Sequence, residues 1–116
     1  MAQLITDHGD LVLSLSRWER VGALHGSIRA PLSAVEDVAV TDAPFRELRG
    51  MRAPGTGFPR VIALGTWRRS RTEKGFAAVY RGKRGVVVRL RDHEFGWLCL
   101  SADDPEEIVA RIRAAA

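Results

Sequence analysis

Leu11, Leu13 and Leu15 alternate with Val12, Ser14 and Ser16, a two-residue period that predicts a strand with one apolar face. Residues 3–7 predict another strand before it, across the turn residues His8, Gly9 and Asp10. Ser16 and Glu19 stand three apart, the spacing of a reciprocal cap at the start of a short helical turn. Trp18, Val21 and Ala23 or Leu24 are then expected to pack inward, and Gly22 and Gly26 to stop the helix early. Residues 26–30 predict a short strand with Ile28 inward, confined to an edge or an end by Pro31. Residues 33–42 predict a clearer strand carrying Val35, Val38 and Val40, with a bulge or a late start where alternation fails near Asp37.

Residues 43–60 hold three of the five prolines and form the longest irregular stretch, with one turn of helix expected over residues 44–49. Loops of this length are usually functional or mobile. Gly55-Thr56-Gly57 lacks the Lys-Ser/Thr and the following helix that a phosphate loop needs. Residues 61–67, 75–80, 86–91 and 96–101 then predict four strands in a regular meander. The last 13 residues predict a helix: Asp104 at the cap, Pro105 at the first helical position, and Glu107 three residues on to complete a capping box. Ile108, Val109 and Ile112 form its apolar stripe, which needs a sheet to cover.

These elements predict one α+β domain over residues 1–116 that is mainly β: a bent antiparallel sheet or open barrel of about seven to eight strands, capped by the C-terminal helix. The layout resembles the pleckstrin-homology-like (PH-like) superfold, and more narrowly small bacterial PH-like proteins of unknown function. The residues that carry the resemblance are Glu19-Arg20 after the second strand and the run Ile28-Arg29-Ala30-Pro31-Leu32-Ser33-Ala34-Val35 entering the next. The strand Trp97-Leu98-Cys99-Leu100-Ser101 and the helix opening Asp104-Pro105-Glu106-Glu107 complete it. It implies a fold and a binding or scaffolding role, with no catalytic residues and no cofactor. Eukaryotic members bind inositol lipids through a basic first hairpin; here that hairpin is His8-Gly9-Asp10, so the resemblance implies no such site.

Composition narrows the chemistry. The single cysteine, Cys99, rules out an internal disulfide and a cysteine-rich zinc site, and its place in an apolar strand predicts a buried hydrophobe. His8, His25 and His93 fall in three separate turns, with no second ligand at metal spacing. No serine has a nucleophile-elbow context and no base stands beside a nucleophile, so no enzyme is expected. No signal peptide or membrane-length apolar run is present, which predicts a cytoplasmic protein.

The net charge of +4 is unevenly spread. Residues 1–45 carry three arginines against six acids, residues 46–91 thirteen cations against two acids, and residues 92–116 two against six. Such blocks either mark a partner surface or meet in the fold and neutralise each other. Loops of a meander fall at alternate ends of the sheet, so Arg81, Lys83 and Arg84 are expected to share an end with Arg60 and with Arg46, Arg49 and Arg52. These seven are the candidate contact for an anionic partner: a protein or an anionic surface, or, as the alternative, nucleic acid read by the basic segment 46–91. Unpaired sheet edges further predict a homo-oligomer, a dimer.

Overall fold

The structure, a computed structural model, describes residues 2–23, 26–48, 57–58, 62–68 and 73–116. A hairpin opens the chain, β1 (Gln3–Asp7) and β2 (Asp10–Ser14), followed by α1 (Arg17–Ala23) and β3 (Ile28–Pro31). A single turn of 3-10 helix over Leu32–Ala34 leads into β4 (Val35–Thr41) and α2 (Pro44–Glu47). Then come the two-residue β5 (Gly57–Phe58), β6 (Ile62–Arg68), β7 (Lys74–Tyr80), β8 (Gly85–Leu90), β9 (Trp97–Ser101) and α3 (Pro105–Ala115). No helix among the described residues is long and apolar enough to cross a membrane.

The strands form two sheets, where the pattern alone suggested one bent sheet or an open barrel. One has the order β1-β2-β3 and the other β4-β8-β9-β7-β6-β5, and neither closes into a barrel. The last four strands also depart from a meander. β9 inserts between β8 and β7, antiparallel to the first and parallel to the second, with Gly75 opposite Trp97 and Ala78 opposite Leu100. The physical reason lies in the composition of β9. All five of its residues are buried, so it needs cover on both faces and a neighbour on each edge. A place at the end of a meander would leave one of those edges in water.

The larger sheet is buried on both sides. Its inner face presents Leu64, Phe76, Val86, Val88, Leu98 and Leu100 to Leu4, Leu11 and Leu13 of the smaller sheet and to Ile108, Val109 and Ile112 of α3. Its outer face carries Ala63, Ala77, Val79, Trp97 and Cys99, packed with Phe45 and Leu48 at α2. Gly75 makes room for the Trp97 ring: a Cβ there would stand 1.9 Å from it. The pairing of β4 with β8 shifts register between Val35 and Asp37, as the broken alternation predicts.

The apolar stripe of α3 docks as expected, with Ile112 1% exposed. Its cap differs from the expected capping box. Asp104 occupies the cap position and Pro105 follows, yet the Asp104 carboxylate makes no capping bond. Glu107 instead accepts from Arg111 Nη2 at 3.0 Å, one turn along. The first-turn amides lose a side-chain partner, while the two glutamates keep their favourable place at the positive end of the helix.

Candidate binding surface

Because β9 runs parallel to β7, one end of the larger sheet collects the exit of β7, the entry of β8, the exit of β9 and the start of α3. β4 also finishes there, since Thr41 pairs with Gly85. Arg81, Lys83 and Arg84 therefore share this end, and they meet acids that the count along the chain left out. Lys83 Nζ donates to Asp103 Oδ1 at 2.7 Å. Arg84 Nε donates to Asp42 Oδ1 at 2.8 Å, and its Nη2 pairs with Glu106. Glu106 beside it, then Asp42, raise the Arg84 guanidinium further above its ordinary value, and the Glu106 carboxyl is lowered in turn. Pairs this exposed contribute little to stability, but they do cancel field. The acidic third block thus returns to the basic second block. Arg81 and Arg46 are exposed and make no ion pair among the described residues; Arg49, Arg52 and Arg60 lie outside those residues, as does Leu24.

The larger departure from expectation is α1. Trp18 is 51% exposed and Val21 73% exposed, where both were expected inside. The face that α1 buries instead carries Ala23 and Glu19, the latter with no accessible surface at all. The local cause is the cap. The Ser16 amide donates to Glu19 Oε1 at 2.9 Å, and the Glu19 amide donates to Ser16 Oγ at 3.4 Å. This is the reciprocal bond the sequence spacing predicts, and it folds the carboxylate back against the helix start.

The tertiary cause is Tyr80, whose hydroxyl donates a short hydrogen bond to the other Glu19 oxygen. A carboxylate taken out of water is costly unless its lone pairs are filled, and here the Ser16 amide serves one oxygen and the Tyr80 hydroxyl the other. Burial alone would push the Glu19 carboxyl up. The Tyr80 hydroxyl and the Ser16 groups outweigh it and hold the carboxyl below its ordinary value. Burial and the adjoining carboxylate push the Tyr80 phenol up.

With Glu19 and Ala23 turned inward, one turn apart, Trp18 and Val21 share the opposite side of the helix. Trp18 meets the Tyr80 ring edge-on, centroids 5.9 Å apart. Gly65, at φ +122°, lies under the helix end; a Cβ there would come within 3.4 Å of the Ala23 carbonyl oxygen. The cations on this helix are Arg17 and Arg20; Arg81 follows Tyr80 in the chain. Arg20 is held by the Leu15 carbonyl (3.2 Å) and the Ser27 hydroxyl (3.4 Å), and neither Arg17 nor Arg20 makes an ion pair among the described residues. The capping box was legible in the sequence. Its long-range partner Tyr80 was not, because nothing in a strand pattern marks a hydroxyl aimed at a helix 61 residues away.

His8, His93 and Cys99 hold structural places, and His25 lies outside the described residues. His8 pairs with Asp7 in the first turn at 2.6 Å. His93 Nδ1 accepts from the Phe95 amide at 3.0 Å, and its Nε2 faces the Arg29 carbonyl at 3.1 Å. Cys99 is buried, and burial, with Glu47 adding to it, pushes its thiol up to about 12. No family model, curated protein or solved structure matches the chain.

Proposed function

We propose that the chain is a non-catalytic binding module of PH-like layout that holds an acidic protein partner on the outer side of α1. The observation that carries this is the inverted helix: Glu19 buried, Trp18 and Val21 in water, and Arg17 and Arg20 on the same helix without an ion pair among the described residues. A sequence that breaks its own burial rule at one place, and holds the break with a capping box and a buried hydrogen bond, has a use for the exposed side chains. Tryptophan and arginine are also the residues that most often dominate a protein interface. The non-catalytic part of the reading is supported by a thiol too buried and too weakly acidic to attack a substrate, and by a carboxylate with a donor already on each oxygen. The nucleic-acid reading loses support from the ion pairs that occupy Lys83 and Arg84.

The test compares wild type with Trp18→Ser/Val21→Ser and Arg17→Glu/Arg81→Glu as bait in source-cell extract at low salt, with duplex DNA and anionic liposomes as separate arms. The reading requires a protein captured by wild type and lost by both variants, whose melting temperatures stay near wild type. Capture that both variants retain, or binding confined to DNA, refutes it.

A further inference from the structure

We propose that β1 pairs with the β1 strand of a second copy of this chain, antiparallel, about a two-fold axis at Ile5. This uses a face separate from α1 and does not rest on the reading above.

Among the described residues each sheet has two outer strands, and β3 and β4 are guarded against pairing. β3 is four residues long and ends in Pro31, which offers no N–H. β4 breaks register between Val35 and Asp37, exposes Glu36 and Asp37, and has its Val38 carbonyl taken by Arg113 Nη2 at 3.0 Å. Proline, charge, irregularity and shortness are the devices by which sheets avoid joining edge to edge. β1 has neither a proline nor a break in register. Its five residues, Gln-Leu-Ile-Thr-Asp, run in unbroken register with β2, and its one charge, Asp7, sits at the end and is bound by Arg29 at 3.0 Å.

Ile5, at the middle of this strand, is 41% exposed. Leu4 belongs to the core, so alternation puts Ile5 on the outer face of the small sheet, directly across from the half-buried Val12. A two-fold axis at Ile5 sets the two Ile5 side chains opposite each other and extends the Val12–Ile5 pair into a row of four apolar residues across both copies. The same register places Gln3 against the partner's Asp7 and Leu4 against the partner's Thr6, so no like charges oppose. Space is present as well. An open groove of about 440 Å³ runs between residues 2–5 and the start of α3 at Asp104 and Ile108. Pairing by one short strand buries little area, which makes the dimer weak and concentration-dependent.

The mass of wild type is measured by sedimentation equilibrium over a roughly hundredfold concentration range. It rises from the 12.8 kDa monomer toward twice that value. Ile5→Lys, a charged side chain on an exposed edge, stays at the monomer mass with an unchanged melting temperature. Ile5→Cys, in a chain whose own Cys99 is buried, forms a disulfide-linked dimer on mild oxidation roughly tenfold faster than Val21→Cys does. A wild type that remains monomeric throughout overturns the proposal. So does an Ile5→Lys variant that associates like wild type, or a Val21→Cys variant that cross-links as fast as Ile5→Cys.

Discussion

Tyr80→Phe isolates the bond that holds α1 in place. The substitution keeps the ring, and with it the edge-on contact with Trp18, and removes only the hydroxyl that donates to Glu19. One oxygen of a carboxylate without accessible surface is then left unfilled, a loss of about 1.5–3 kcal/mol for a hydrogen bond to a charged group. Unfolding entropy for 116 residues is about 0.24 kcal/mol/K, so the melting temperature should fall by roughly 6–12 °C at neutral pH. The sign with pH follows from the lowered Glu19 carboxyl. Its contribution is fully present above the unfolded carboxyl value of about 4.3 and is lost as pH falls through the lower folded value. The gap between wild type and Tyr80→Phe should therefore close in acid. In the variant, burial acts without its main counterweight, so the Glu19 carboxyl moves up and acid unfolding changes shape.

Thermal melts by circular dichroism at several pH values read both effects, and a cycle through Glu19→Gln and the double variant gives the coupling directly. A gap below about 1 °C at pH 7, or one that stays constant into acid, refutes the account of why α1 lies as it does. At the alkaline end the raised phenol acts oppositely. Its contribution is whole below the unfolded tyrosine value of about 10 and is lost at higher pH.

Two further outcomes are expected. Ile112→Asp puts an unpaired charge where a 1% exposed side chain closes the core between α3 and the larger sheet; it should cost about 4 kcal/mol or more, read by urea denaturation, and a midpoint within error of wild type would refute the docking of α3. Cys99, its thiol pushed up to about 12 and without accessible surface, should resist a thiol reagent at neutral pH until denaturant is added, and rapid labelling of the native protein would contradict its burial.

Where a short segment carried its own signal, sequence and structure agree. The capping box of Ser16 and Glu19, the irregularity near Asp37, the buried Cys99 and the Ile108–Val109–Ile112 stripe all depend on spacings of four residues or fewer, which one element satisfies by itself. Strand identity and the mainly β character were legible for the same reason. Strand order was not. Hydrophobic period tells which face a strand buries, but an all-apolar strand such as β9 says only that it needs cover everywhere, and the middle of the larger sheet is where that is met. That placement decided the electrostatics too. By returning α3 to the end where β8 begins, it set Asp103 and Glu106 against Lys83 and Arg84, so charge counted along the chain misjudged charge in space. The orientation of α1 belongs to tertiary structure as well. Helical period ranks Trp18 and Val21 as core, and a hydroxyl from β7 outweighs that ranking because an unfilled buried carboxylate costs more than two exposed apolar side chains.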